Sequence, residues 1–353
     1  MRMSSRTDLD LFAVQTACGM DDYLTADAFE SKIFSFLPEI QKRREGAQGH
    51  GIVVFPEDIG LFLAVLRAGE EIKACRSAED AFLRMGRRQW PQVLGAMLRR
   101  GTFNPKTAFW FAHAEAIRDT VIRTFSRFAL ESRTYVVAGS AALPHNKYGL
   151  VLRPYAPRED KVYNLSFTFG PDGRMLGATA KVNLVPGLED GLGLAAGRME
   201  DAAPVDIGRI KLATAICYDG FRCAHTSEEP RFQPLVPYFD RMGADVVAQP
   251  AANPWPWDGP WHWAKEGAPR LRREQWLEEG ALSALSSAQK VRFIVNPHLA
   301  GNFLDLHFEG RSAIYAREGE RAFVLAEAET IDGDEIVHAH VRLNDRMTPA
   351  ASL

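Results

Sequence analysis

Cysteine is scarce in this chain: Cys18, Cys75, Cys217 and Cys223 are the four it has in 353 residues. That is too few for a disulfide scaffold, and no Cys-x-x-Cys pair suggests a zinc ribbon. Such usage fits a reduced, cytoplasmic setting. An excess of one charge is also missing, with 42 Lys+Arg against 45 Asp+Glu and a net charge of −3. A nucleic-acid partner, which favours a basic face, is therefore not expected. Long apolar runs are lacking too. The most hydrophobic stretch, Gly51 to Val65, carries Glu57 and Asp58 near its middle, which argues against a membrane span. The first ten residues contain no apolar segment of the kind a secretory leader needs. Internal repeats and low-complexity tracts are absent. What remains is 46% apolar and 25% charged, a globular and not a disordered composition. A chain this long buries roughly three-quarters of its unfolded surface and needs no staples.

Length alone allows about two domains, or one large α/β domain with insertions. The pattern alternates strand and helix. Strands are expected at Leu9–Thr16, Gly51–Phe55, Thr134–Ser140, Ala244–Gln249 and Val291–Asn296. Between the first two, Phe29, Ile33, Phe36, Leu37 and Ile40 have helical spacing, and Pro38 should kink or divide that helix. Val162–Phe169 and Met175–Val182 flank Gly170-Pro-Asp-Gly173, a strong hairpin signal. Another strand pair surrounds Gly208-Arg209, its second arm running through Ile216 into Cys217. The segment from Arg311 to about Leu343 reads as short antiparallel strands. Residues 61–130 are helical in pattern, with Trp90, Val93, Leu94, Met97 and Leu98 forming one apolar face expected to pack on the core. Asn253 to Trp263 is a loop by its prolines. Mixed hairpins and strand–helix alternation suggest two packed sheets with helices outside.

Three residues with complementary chemistry fall at the carboxyl ends of separate strands: Glu57, Lys181 and Cys217. Ligand crevices form at that edge of open α/β sheets. Cysteine catalysis needs a thiolate, an acceptor for its proton and a donor for the oxyanion. Taken singly, each residue is as well explained as a core thiol or a solvated cap.

The flanking residues add specificity. Phe55-Pro-Glu57, Lys181-Val-Asn-Leu-Val-Pro186 with Glu189, and Ile216-Cys-Tyr-Asp219 occur in this order. So do Tyr163-Asn-Leu-Ser, Asp172-Gly173 and Gly310-Arg-Ser-Ala-Ile314. Together they resemble the nitrilase superfamily of carbon–nitrogen hydrolases, nearer to its amidase and carbamoylase branches than to true nitrilases. The resemblance implies a four-layer α-β-β-α sandwich of two mixed sheets with helices outside. It reads 1–353 as a single domain with a motif-bearing core of about 9–328. A helical insertion would lie within 61–130, a Trp/Pro-rich insertion within 250–280, and C-terminal strands and tail at 329–353.

The same resemblance implies roles. Glu57 takes the proton of Cys217, whose sulfur attacks an amide, carbamoyl or nitrile carbon to give a thioester. Lys181 and the backbone N–H of Tyr218 hold the oxyanion, Glu57 activates the hydrolytic water, and Glu189 orients Lys181 and the substrate. The nearby ammonium is expected to favour thiolate over thiol. No metal and no cofactor is implied, the substrate is a small molecule, and family members are commonly homo-oligomers, at least dimers. An idle binding module on the same fold is the contrasting possibility.

Departures from the pattern bear on substrate. Asn183 stands where the family often has His, and Tyr218-Asp-Gly-Phe-Arg222 reverses the last two residues of an amidase-like Tyr-Asp-x-Arg-Phe-Pro. Arg222 and Asn183 are candidate substrate contacts, as are Trp255 and Trp257, which with Trp261 and Trp263 would wall a pocket near Gln249-Pro-Ala-Ala-Asn253. True nitrilases generally carry Trp-Glu after the nucleophile, so Tyr218-Asp219 leans toward an amide or carbamoyl substrate. Cys223 is expected to be an unreactive thiol, and His225 lies in the same loop, eight residues after Cys217, as a weaker candidate base. His338 and His340 have strand spacing on one face but lack a third ligand for a metal.

Overall fold

A computed structural model describes residues 7–264 and 268–343. Two mixed sheets form its centre. The larger runs through Ala251–Ala252, His298–Phe303, Thr7–Ala17, His50–Val54, Tyr135–Val137, Tyr163–Phe169 and Ala141–Leu143. The smaller runs through Arg321–Glu327, Ala313–Glu318, Phe293–Asn296, Val246–Ala248, Ile210–Thr214 and Val205–Ile207.

The layering follows from side chains alternating across each strand. In the larger sheet Leu9, Leu11, Ala13, Ile52, Val54 and Val137 point toward the smaller one and meet Ile210, Leu212, Val246, Phe293, Val295 and Ile314. Their neighbours Phe12, Val14, Val53 and Val136 face the other way, onto Phe29, Ile33, Phe125 and Phe128 of the helices. On the far side of the smaller sheet Ala213, Val247, Ile294 and Tyr315 pack on Leu235, Val236, Phe239 and Leu285. Each fully buried Leu, Val or Phe is worth roughly 1.5–3 kcal/mol, so the two sheets are driven together without polar help. The result is an α-β-β-α sandwich.

Pro38 divides the expected helix: Ala26–Phe34 ends before it, and Leu37–Arg43 carries it in the first turn, where its missing N–H costs nothing. The hairpin forms as Tyr163–Phe169 against Met175–Ala180, and Lys181 follows immediately. The C-terminal strands are not one antiparallel series. Ala313–Glu318 and Arg321–Glu327 extend the smaller sheet, whereas Glu335–Leu343 crosses to the larger one and pairs antiparallel with Thr7–Ala17. There His338 Nε2 and His340 Nδ1 lie 3.1 and 3.0 Å from Asp10 Oδ1, and Arg44 pairs with the other oxygen, Oδ2, of the same carboxylate. The two imidazoles do share a face, and a carboxylate is what they share it with. The remaining expected tail, 344–353, lies outside the described residues.

The 61–130 segment departs from expectation in one respect. Its long helix Pro105–Ser132 lies in the layer over the larger sheet, with Phe125, Phe128 and Ala129 buried. The helix Trp90–Arg100 buries Val93 and Ala96, while Trp90, Leu94 and Leu98 are exposed. Its inward stripe is thus turned from the one the apolar residues outline, with Val93 and Ala96 in the core cluster and Met97 packed against it. Among the described residues no helix is long and apolar enough to cross a membrane.

Gly139 shows how tightly the strand ends are stitched. It has φ +60°, and a Cβ there would lie 2.0 Å from the Pro56 carbonyl oxygen. A left-handed alanine alone costs roughly 1–2 kcal/mol. Gly139→Ala is therefore expected to destabilise by about 2 kcal/mol or more, read as a lower urea midpoint.

Candidate active site

Beyond its last paired residue, each of three strands delivers one polar side chain to a common buried point. Phe55 N donates to Val137 O at 2.9 Å, prolonging the His50–Val54 strand by one step before Pro56 and Glu57 turn inward. Lys181 N donates to Asn164 O at 2.9 Å, so Lys181 leaves the hairpin still tethered to it. Cys217 opens a short 3-10 turn, Cys217–Gly220, after the Ile210–Thr214 strand.

The point they share is nearly dry. Lys181, Glu57 and Cys217 are 1%, 2% and 4% exposed. Lys181 Nζ donates to Glu57 Oε1 at 2.8 Å and to Glu189 Oε2 at 2.6 Å. Asn164 Nδ2 donates to both glutamates, 2.9 Å to Glu57 Oε1 and 2.8 Å to Glu189 Oε1. The remaining lobes are held by backbone: Ala252 N donates to Glu57 Oε2 at 3.1 Å, and Val185 N to Glu189 Oε2 at 2.9 Å. Two of the three ammonium protons of Lys181 are thus spoken for, which leaves one for a third acceptor.

Cys217 sits in the left-handed region, φ +48°. A non-glycine residue there costs of order 1–3 kcal/mol and persists only where the surroundings impose it. Here Cys217 N donates to Pro250 O at 2.7 Å, and Cys217 O accepts from Gln249 Nε2 at 2.8 Å. Both peptide groups being fixed, the side chain is directed to the Glu57–Lys181 pair, with Sγ 3.7 Å from Ala252 O.

Burial governs the ionisation. It raises the Glu57 carboxyl, as does Glu189, while Lys181 opposes them. Burial would lower Lys181, but Glu189 and Glu57 together hold the ammonium well above its usual range. The Cys217 thiol is pushed well up by burial and then by Glu57, with Lys181 countering only in part. The expected resting thiolate is therefore corrected: a carboxylate and a dry site outweigh one cation that is already paired twice. The sulfur rests as a thiol beside a base.

The other sequence candidates separate. Asn183 is buried, with both Nδ2 protons used, donating to Asp219 Oδ1 and Gln233 O, and Oδ1 accepting from Gln233 N. It locks the Lys181 segment to the Cys217 turn and has no N–H left to donate to a ligand. Asp219, which also accepts from the N–H groups of Val182 and Asn183, is lifted by burial to about 7. Arg222 is exposed, and only its backbone N–H bonds inward, to Glu279 O at 2.7 Å. Trp257 is buried in the same apolar cluster as Cys217 and Tyr218, with Trp255 packed on it. His225 stacks on Tyr218 at 3.9 Å, and burial holds it neutral by pulling it down to about 2. Cys223 is half-buried and forms no disulfide.

Residue-by-residue reading missed two members. Asn164 had a signal, since it lies in the quoted Tyr163-Asn-Leu-Ser. Arg272 had none, being one of many arginines in a helical stretch. It is 2% exposed, with its guanidinium carbon 4.0 Å from the Trp261 ring centroid and 4.9 Å from that of Trp276.

No family model and no curated protein matches the sequence. Solved structures do. The amidase from Nesterenkonia sp. AN1, a double mutant in complex with acrylamide, is 16% identical with a TM-score of 0.51, covering 97% of this chain and 92% of its own. Saccharomyces cerevisiae Nit3, of branch 10 of the nitrilase superfamily, is 20% identical at 0.54, covering 95% and 90%. A carbon–nitrogen hydrolase from Helicobacter pylori G27 is 16% identical at 0.57, covering 95% and 88%. The chain has the nitrilase-superfamily fold.

The buried triad makes a stability prediction. Lys181→Met leaves two carboxylates facing each other without a cation, a loss of roughly 3–5 kcal/mol at neutral pH. Removing the ammonium raises the Glu57 carboxyl further above its ordinary 4.5. A raised carboxyl favours the folded state fully below that ordinary value and loses the benefit as pH rises through its folded one. Urea midpoints at pH 5 and pH 8 should fall between those values far more in the variant than in the parent.

Proposed function

We propose that the protein hydrolyses a non-peptide carbon–nitrogen bond of a small amide or N-carbamoyl compound through a thioester on Cys217. The observation that carries this reading is Lys181 held between Glu57 and Glu189 beside a cysteine in a left-handed turn. A purely structural cluster has no use for a nucleophile forced into strained backbone next to a base. The fold shared with an amidase and a carbon–nitrogen hydrolase supports the same class of chemistry.

The steps balance on these residues. Glu57 takes the Sγ proton as the sulfur attacks the carbonyl carbon, and the carbonyl oxygen becomes an oxyanion. The free proton of Lys181 and the N–H of Tyr218 stabilise that charge. Glu57 then returns its proton to the departing nitrogen, the C–N bond breaks, and ammonia or an amine leaves a thioester. Glu57 next deprotonates a water, whose oxygen attacks the thioester carbon. Collapse releases a carboxylic or carbamic acid, and the thiol is restored. Glu189 keeps Lys181 charged and placed without touching substrate. Tyr218-Asp219, in place of Trp-Glu, favours amide or carbamoyl substrates over nitriles.

Cys217→Ala should abolish hydrolysis across a panel of amides, N-carbamoyl compounds and nitriles while the thermal midpoint is kept. Turnover by that variant would refute the thioester route, and selective turnover of nitriles by the parent would move the substrate class. Because the working base is a carboxylate raised by burial, the acid limb of kcat/KM should lie above the 4.5 of an ordinary glutamate. Activity rises as pH climbs through that limb.

A further inference from the structure

Arg272 is the most deeply buried guanidinium that the catalytic steps leave idle, and its partners do not balance its charge. Nε donates to Asn253 Oδ1 at 2.9 Å and Nη1 to Gln275 Oε1, both neutral amide oxygens. Among the described residues no carboxylate is ion-paired with it. Glu279 acts on it electrostatically, yet the two oxygens of that carboxylate are taken by Arg270 and Gln275. Burial lowers the guanidinium to about 9, which still leaves it cationic at neutral pH. Four aromatic rings surround it, with centroids 4.0 to 5.9 Å away. Cation–π contact offsets part of the desolvation but gives its N–H groups no acceptor. Of the five guanidinium protons, two are used within the protein.

A second donor lies beside it. Trp261 is 3% exposed, its ring is the nearest of the four to Arg272, and its buried indole N–H has no hydrogen-bond partner among the described residues. A cation with N–H groups to spare and no paired carboxylate, beside a neutral N–H without an acceptor, calls for a group that only accepts and carries one negative charge. A carboxylate answers both requirements, and a guanidinium binds it in a fork of two parallel bonds.

The enclosure adjoins the nucleophile. Asn253, bonded to Arg272, directly follows Ala252, whose carbonyl oxygen touches Cys217 Sγ at 3.7 Å. Phe221 and Trp276, two of the four rings, belong to the apolar cluster that holds Cys217. We propose that Arg272 and Trp261 form a carboxylate subsite, so that the substrate is a small molecule carrying a carboxylate a short reach from the C–N bond presented to Cys217. This rests on the hydrolytic reading above and adds to it the substrate's charge. Arg222, the arginine nearer in sequence to Cys217, is exposed and plays no part. Discrimination against a neutral analogue is expected to be large, on the order of 100-fold, because such an analogue leaves a buried cation unpaired.

Two measurements test the subsite separately from the hydrolysis. In the first, the rates at which iodoacetate and iodoacetamide alkylate Cys217 are followed by mass spectrometry of the intact protein. The parent should favour the anionic reagent, and the ratio should fall about tenfold or more in Arg272→Gln and in Trp261→Phe. The second variant removes only an N–H and keeps the ring, so it serves if the first does not fold. An unchanged ratio in folded variants overturns the proposal. In the second, malonamate, succinamate, glutaramate and N-carbamoyl amino acids are each compared with their methyl esters. A kcat/KM about 100-fold higher for the acids supports the subsite, and equal turnover of the esters overturns it while leaving the hydrolase intact. Anion-selective alkylation lost in both variants, with no amide or carbamoyl turnover, would instead support the subsite and remove the hydrolytic reading.

Discussion

A lysine ammonium with 1% exposure can be kept inside a protein only if its charge is met on the spot, because an unpaired buried ion costs several kcal/mol. Lys181 meets Glu57 and Glu189, and the rest of the site can be followed outward from that need. Two carboxylates that close repel each other, so Asn164 bridges them and the N–H groups of Ala252 and Val185 take the oxygens that remain. These groups come from the ends of strands in the larger sheet, from the loop after the hairpin, and from the two-residue Ala251–Ala252 strand. Satisfying one cation thus fixes the relative positions of segments far apart in the chain.

Cys217 inherits its chemistry from the same arrangement. It is the one member contributed from the end of the smaller sheet, and its strained φ is imposed by bonds to Pro250 and Gln249. Burial and Glu57 keep its proton in place, and under the proposed route the carboxylate that would take that proton is already beside it. A permanently ionised sulfur would be more open to oxidation and stray alkylation. A thiol paired with a raised carboxyl puts activation and attack into one step. Around this polar core the walls are aromatic. Trp257, Trp276 and Phe221 exclude water, which strengthens each electrostatic contact inside.

Parts of this were legible from residue order. Alternating apolar residues in Leu9–Thr16 and Ile210–Ile216 marked strands, and their two faces are now the two sides of a sheet. Pro38 announced a break, and Gly170-Pro-Asp-Gly173 announced a turn, because both act through backbone dihedrals that no distant contact needs to supply. The helix Trp90–Arg100 was misread because it holds more apolar residues than one stripe requires. Which of them face inward depends on the helix it lies against. The ionisation of Cys217 was misread for a related reason. A neighbouring lysine suggests a thiolate only until the lysine's other partners are counted.

The division is clearest at Asn183 and Arg222, which the sequence offered as substrate contacts, and at Arg272, which it did not. Strand pattern placed Glu57, Lys181 and Cys217 at strand ends, because strand ends are set locally and the sheet brings such ends to one edge, and motif order added Glu189. Nothing local distinguishes Arg222 from Arg272, or tells that both N–H groups of the Asn183 side chain are taken by Asp219 and Gln233. Those outcomes depend on which side chains meet in the fold, 36 and 50 residues apart in the case of Asn183, and on which of them then lose water. The sequence by itself determined the chemical types and the edge on which they gather. The tertiary structure decided their charge state, their partners and which arginine is buried, since each depends on desolvation and on contacts between distant segments.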